Sequence, residues 1–224
     1  MKIFSLNVWF SEYLRYERSK ILKKYLLEND YDIIFLQEVI VEVLSYIYRD
    51  LEKKYPHIHI DLDEDFYGTC IISKHELQER EILKFKNSKM RRSLLKAQVN
   101  DIVVATTHLE SEFGKNSNKK VEQFNHSIEL LSKYEKVLFI GDTNLTPKND
   151  KDLILKDFKD IYLEIDNTKQ NMYTYDGIDN PLLSSKIRSR IDRAFIKNLV
   201  PKTFKLDKEF IMSDHFGVFV DITN

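Results

Sequence analysis

The stretch KVLFIGDTNL, residues 136–145, runs through Val137, Leu138, Phe139 and Ile140 and then breaks into Gly141, Asp142, Thr143 and Asn144. A short apolar run without polar alternation reads as a strand covered on both faces. The same reading applies to YDIIFLQEV at 31–39, which also ends in polar residues, Gln37 and Glu38. Helical periodicity fills the intervals. Residues 17–29 put Ile21, Leu22, Tyr25 and Leu26 on one face, and residues 42–54 read as a second helix. Residues 117–134 space Val121, Phe124, Ile128 and Leu131 three, four and three apart, behind an N-cap at Ser117 or Asn118. MKIFSLNVWF is expected to be the first strand, and YGTCIIS, LLKAQVN and DIVVATTHL three more, the latter two joined as a hairpin at Asn100-Asp101. RIDRAFI and HFGVFVDI read as the last two strands. This order predicts one α/β domain over residues 1–224, with a mixed sheet core covered by helices.

Composition limits what such a domain does. With 42% hydrophobic residues, five Gly and four Pro in 224 residues, there is apolar mass for a core and too little Gly and Pro for a fibrous or disordered chain. The net charge of -1 hides an uneven spread: residues 84–96 hold six basic side chains and no acid, while DLDED at 61–65 holds four acids. The basic run permits a local anionic ligand and equally an ordinary solvated face. The single Cys70 excludes an intramolecular disulfide and suits a reducing compartment. Asn7 interrupts the apolar N-terminus and no small-residue cleavage site follows, so that segment is read as strand and not as a signal peptide. No apolar run approaches the roughly 20 residues of a membrane helix. The expectation is an intracellular protein, in nucleus or cytoplasm, without membrane contact.

Several strands end in chemistry. Asn7, Glu38, His108 with Ser111 beyond it, Asp142 with Asn144, Asp192, and the pair Asp214-His215 all sit at strand termini, where ligands bind in such sheets. Each has an ordinary explanation taken singly, such as a turn cap or an Asx-turn acceptor. Together they are harder to explain by folding, because convergent, hard-to-desolvate groups add nothing to stability. Carboxylate and amide oxygens without a cysteine cluster suit a hard cation such as Mg²⁺, and the absence of His-x-x-x-His and Cys-x-x-Cys disfavours zinc. A cation against a phosphoryl oxygen, an aspartate to take a proton from water and a histidine to stabilise developing charge make a phosphoester hydrolase. Asp192 and His215 have the types of a carboxylate that orients an imidazole.

SLNVW, LQEV, THLES, GDTNL, SRIDRAF and SDHFG stand in the order and spacing of the endonuclease/exonuclease/phosphatase superfamily, which the chain resembles from Ile3 to about Ile222. THLES, GDTNL, KMRRSLL, YTYDG and SDHFG further resemble its tyrosyl-DNA phosphodiesterase branch. The resemblance implies a four-layer α/β sandwich, two packed mixed β-sheets flanked by helices. It implies a Mg²⁺-dependent phosphodiesterase, with Mn²⁺ as a substitute, that acts in DNA repair on DNA 5′ ends carrying a tyrosyl or peptide adduct from a trapped topoisomerase II and leaves a 5′-phosphate. Protein-linked RNA stays open as a substrate, and a monomer is expected.

The resemblance also implies roles. Glu38 would ligate the metal, with Asn7 close by and Asp214 in the inner or outer shell. Asp142 would activate the attacking water, and Asn144 would fix that water or a phosphate oxygen. His215, oriented by Asp192, would stabilise the transition state. His108, Ser111, Tyr67 and Arg190 would hold a phosphate, Arg92 would lie near the phosphate path with Lys89 and Arg91, and Tyr175 would form an aromatic wall. A phenol, with an unperturbed pKa of about 10, leaves without a strong general acid.

The chain departs from the branch in three places. Thr146-Pro147 stands where the branch carries an arginine, Tyr175 where it carries a tryptophan, and the segment from Tyr175 to Arg188 is short. No ubiquitin-binding domain is expected ahead of the first strand. An abasic-site endonuclease, an exonuclease, a deadenylase or a small phosphatase remains an alternative with the same metal site. A nucleic-acid-binding module without turnover is the alternative outside enzymes, disfavoured because every expected polar type is present.

Overall fold

In a computed structural model, which describes residues 1–62, 66–111, 118–165 and 172–223, the strand Val137–Asp142 (β8) is buried along its whole length. Leu138 and Ile140 face one core and Val137 and Phe139 another, which is why its apolar residues do not alternate with polar ones. β8 lies in a six-stranded sheet with Gln78–Lys84 (β5), Ser93–Val99 (β6), Ile102–His108 (β7), Asp192–Lys197 (β12) and Lys159–Asp160 (β9), in the order β5-β6-β7-β8-β12-β9. A second six-stranded sheet holds Lys2–Asn7 (β1), Ile33–Val39 (β2), His57–Asp61 (β3), Gly68–Ser73 (β4), Val200–Asp207 (β13) and Gly217–Thr223 (β14), in the order β13-β14-β1-β2-β4-β3.

Each six-stranded sheet is mixed, and Tyr175–Asp176 (β10) and Arg188–Ser189 (β11) form a separate antiparallel pair. β1 and β2 are parallel, joined by the helix Arg15–Glu28 (α1), and β7 and β8 are parallel, with the helix Lys119–Leu131 (α3) between them in sequence. The other pairings between these strands are antiparallel. A parallel connection requires a crossover, and a helix supplies it. Ile33, Phe35 and Ile71 of one sheet meet Leu95, Val104, Leu138 and Ile140 of the other in a core between the sheets. α1 and the helix Val41–Leu51 (α2) cover the outer face of the first sheet through Leu22, Leu26, Leu44 and Ile47. α3 covers the outer face of the other through Phe124, Ile128 and Leu131. The expected four-layer sandwich is the architecture observed.

Several details correct the sequence reading. RIDRAFI and HFGVFVDI are not consecutive strands, because β13 lies between them, and β3, β5 and β9 form where the sequence carries no clear strand pattern. Those four are the edge strands of the two sheets. Ile21 was expected on the buried face of α1 but is 38% exposed, whereas Arg18 and Ser19 are buried there beside Leu22, Tyr25 and Leu26. The Asn100-Asp101 hairpin forms, with Val99 opposite Ile102 and Asn100 at φ 55, a left-handed conformation that asparagine tolerates. Asn118 occupies the N-cap position of α3 without a side-chain cap bond. Ser117 and residues 63–65 of the acidic run lie outside the described residues. Among the described residues no helix is long and apolar enough to cross a membrane.

Candidate active site

The polar residues arrive together because the strands end in register. Asn7 closes β1 beside Gln37 of β2, and His108 closes β7 beside Asp142 of β8, which pairs on its other side with Asp192 of β12. Both parallel pairs thus bring their carboxyl ends to one place, the usual ligand crevice of such sheets. Asn7 Nδ2 donates to Asp142 Oδ2 at 2.9 Å, and Gln37 Nε2 reaches Thr106 Oγ1 at 3.1 Å, so two side-chain bonds tie the sheets at this end. Trp9 N donates to Asn7 Oδ1 at 2.9 Å, which fixes the amide so that its NH₂ must face Asp142. A bulge between Gln37 and Val39 leaves Glu38 at φ 55, and Trp9 and Asn144 have φ 59 and 52. Positive φ is uncommon outside glycine, and here it re-aims three residues at strand ends.

Asp142 is the hub. Asn144 N donates to its Oδ1 at 3.0 Å, His108 Nε2 stands 3.4 Å and His215 Nε2 3.9 Å from its Oδ2. Burial first, and then the like charge of Asp192, raise its pKa to about 7 against the opposing pull of His215 and Asn7. The two histidines take opposite states. Arg92 Nη1 donates to His108 Nδ1 at 2.8 Å; arginine is always protonated, so the His108 proton is on Nε2, facing Asp142 and Glu38 Oε1 at 3.8 Å. Burial and the Arg92 charge hold that imidazole well below its ordinary pKa, neutral at pH 7. His215 donates through Nδ1 to Asp192 Oδ2 at 2.8 Å. Burial would lower its pKa, but Asp192, Asp142 and Asp214 outweigh it and hold His215 well above its usual value, as an imidazolium.

The remaining expected residues divide. Arg92 Nη2 donates to the Tyr67 hydroxyl at 3.1 Å, and the Tyr67 ring lies 6.0 Å from His108, so these form one group. Ser111 Oγ contacts Met90 Sδ at 3.4 Å, beside Arg92 Nη2, which is 3.7 Å from the same sulfur. Tyr175 meets His215 edge to face at 5.3 Å. Asp214, next to His215, accepts from Ser213 Oγ at 3.1 Å. The Asn144 side chain donates to Leu109 O at 3.1 Å. Arg190 is not brought to this group: its Nη1 is ion-paired with Asp160 at 2.9 Å, and its guanidinium lies over Tyr162. The basic run is largely committed too, with Lys84 paired to Asp61 and Lys96 to Glu81.

Two residues escaped the sequence reading. Arg18 reaches from the buried face of α1 to the carbonyls of Val8, Trp9, Ser11 and Tyr13, holding the loop that follows Asn7. Its spacing of four from Leu22 put a charge in an apolar stripe, a signal that was there to read. Lys120 donates to Asn144 O at 2.8 Å, with burial lowering its pKa against the pull of Asp142. A lysine in the first turn of a helix opposes the macrodipole, and that was its signal.

A divalent cation fits this donor set. Burial raises the pKa of Glu38, Asp142 and Asp214 alike, so the site concentrates carboxylate oxygens that a hard cation would neutralise. Asp142, Asp192 and His215 also lie within 4.8 Å of one another, but Asp192 and His215 are already bonded to each other and an imidazolium cannot ligate a metal. Glu38 and Asp214, near enough for each charge to act on the other, are the remaining carboxylates that could hold a cation, with Asn7 fixed toward Asp142.

The model of the Endonuclease/Exonuclease/phosphatase family matches residues 4–215. Tyrosyl-DNA phosphodiesterase 2 of Homo sapiens is 29% identical over 98% of this chain and 68% of its own length, and that of Gallus gallus 28% identical over 96% and 65%. The chain thus spans about two thirds of the length of these relatives. Among solved structures, D. rerio TDP2 complexed with single strand DNA product superposes with a TM-score of 0.89 at 24% identity, covering 100% of this chain and 99% of that one. A 3'-5' exonuclease from Neisseria meningitidis superposes with a TM-score of 0.78 at 18% identity, with 100% of both chains covered. These two likenesses establish the fold.

Proposed function

Because the chain belongs to the endonuclease/exonuclease/phosphatase family, we propose that it hydrolyses the phosphodiester joining a tyrosine to a DNA 5′ end, leaving a 5′-phosphate. The observation that best supports this reading is the convergence of Asn7, Glu38, His108, Asp192 and His215, from five separate segments of the chain, around the buried carboxylate of Asp142. The relatives named tyrosyl-DNA phosphodiesterase 2 supply the substrate class.

A divalent cation held by Glu38 and Asp214, Mg²⁺ on the chemistry of the oxygen donors and replaceable by Mn²⁺, would neutralise charge on the phosphoryl oxygens. Asp142, raised to about 7, is poised to take a proton from the attacking water at neutral pH, and Asn7 and the Asn144 backbone fix which of its lone pairs remains free. The imidazolium of His215 offers its Nε2 proton to the phosphoryl oxygen on which charge builds, and Asp192 holds the ring in place. Neutral His108 offers a second Nε2–H, kept in that tautomer by Arg92. Arg92 also steadies the Tyr67 hydroxyl, which places a donor beside the phosphate. The leaving phenolate requires no proton in the transition state.

The reading is tested by turnover of a 5′-phosphotyrosyl oligonucleotide in ¹⁸O-labelled water with Mg²⁺. Attack on phosphorus predicts unlabelled tyrosine and one ¹⁸O in the new 5′-phosphate, with turnover abolished by EDTA. Label in the tyrosine, or no turnover, would count against it.

A further inference from the structure

Phe66 and Tyr67 form a wall between two unlike grooves. Their rings stack at 4.4 Å, and Phe10 stacks on the far face of Tyr67 at 4.5 Å. One groove is lined by this pair together with Arg91, Arg92 and the Lys84–Asp61 ion pair, and keeps a net positive charge. The other is a cavity of about 810 Å³ lined by Phe10, Val41, Phe66 and Tyr67, with Arg15 and Glu42 as its charged residues. Its volume is within the roughly 300–1,000 Å³ of ligand pockets. Phe10 and Val41, both lining it, are each 44% exposed.

The charge of this cavity indicates what it takes. Arg15 donates Nη2 to Phe10 O at 2.8 Å, Nε to Ser11 O at 3.3 Å and Nη1 to Glu42 at 3.4 Å, so its guanidinium is engaged on every nitrogen and the ion pair is neutral overall. A polynucleotide brings a phosphate with each residue and requires cations to meet it, whereas a peptide does not. Two of its lining residues are bonded to residues of the candidate active site. Phe10 N donates to Glu38 Oε2 at 3.2 Å, and the Tyr67 hydroxyl is held by Arg92.

Resting on the function proposed above, we propose that this cavity receives apolar side chains flanking the tyrosine in the protein remnant of the adduct, making the enzyme selective among peptide adducts. The nucleotide lies on the basic side of the Phe66–Tyr67 wall and the peptide on the neutral side.

The test compares two 5′ adducts of one oligonucleotide, the tyrosine flanked by leucines in one and by serines in the other, using the wild type and Val41→Asp. Val41 is the first residue of α2, where a carboxylate favours the helix, so the substitution leaves the fold intact. The expectation is a kcat/KM about tenfold higher for the leucine adduct, carried by KM, with the ratio falling to about one in Val41→Asp. Equal wild-type rates on the two adducts overturn the proposal while leaving the tyrosyl reaction standing. A ratio that persists in Val41→Asp overturns it as well. So does a variant whose defect follows the identity of the 5′ base, which would put the nucleotide in the cavity. If neither adduct is cleaved while another phosphoester is, the function proposed above fails and takes this inference with it.

Discussion

Asp142 sits where its charge is least welcome, buried beside Asp192 and near Glu38, and that position sets both its reactivity and its cost. Its folded pKa of about 7 lies above the unfolded value of about 3.9, so the folded protein binds the extra proton between them. The stability it contributes is full below the unfolded pKa and is lost as pH rises through about 7. Asp142→Asn should therefore cut turnover by about 10³-fold and yet raise the Tm of metal-free protein at pH 8 by about 5 °C, with no such gain at pH 4, as read by calorimetry with EDTA. A loss of Tm at pH 8 would mean that the carboxylate is stabilising and the assignment of base is wrong. The His215 pKa is shifted in the same direction, but here the raised value favours the charged form. Its pKa is raised, so its charge is present at neutral pH and lost on the alkaline side. Asp192→Asn removes the carboxylate bonded to Nδ1 and should bring the alkaline fall of the pH–rate profile to lower pH; an unmoved limb would show that Asp192 does not govern that imidazole.

The element that delivers Asp142 tolerates little. A Cβ on Gly141 would stand 2.2 Å from the Thr107 carbonyl of the neighbouring strand, one residue before His108. Gly141→Ala must spread β7 from β8 where His108 and Asp142 are paired, and should cost about 3 kcal/mol of stability in urea melts as well as activity. The loop after β1 depends on Arg18. Arg18→Met leaves the carbonyls of Val8, Trp9, Ser11 and Tyr13 without that donor and frees the loop that presents Phe10 N to Glu38, so about 3 kcal/mol should be lost and the Mg²⁺ requirement should rise. Unchanged Mg²⁺ dependence in a folded Arg18→Met would remove Arg18 from the site. The interior elements were legible because burial on two faces selects continuous apolar runs such as Val137 to Ile140 and Ile33 to Leu36. The edge strands were not. β5 is QEREILK and largely exposed, and β13 carries Pro201 at a bulge and lysines at 202 and 205, the charged and broken pattern by which edges avoid pairing with other chains.

At the scale of the molecule, the four layers follow from where the helices fall in the chain, α1 between β1 and β2 and α3 between β7 and β8. Strand-end residues such as Asn7, Glu38 and Asp142 could be picked out one by one in the sequence, and their type predicted a metal phosphoester site. Their partners could not, because the bond from Asn7 to Asp142 spans 135 residues and depends on two sheets stacking in register. Arg190 illustrates the limit: its place two residues before Asp192 suggested the site, but Asp160 from another element holds it. Thr146, where the family resemblance places an arginine, caps the short turn Pro147–Asp152 through Asn149 and brings no charge there.

The measurement that bears most directly on the proposed function is a competition with Mg²⁺ among a 5′-phosphotyrosyl oligonucleotide, its 3′-phosphotyrosyl counterpart, an abasic duplex and an inositol polyphosphate, with Asp142→Asn as control. The 5′ adduct is expected to be consumed first, by at least about 100-fold in kcat/KM, and the variant to be about 10³-fold slower on it. Faster cleavage of the abasic duplex or the inositol phosphate by the wild type would keep the fold and the metal site and contradict the substrate.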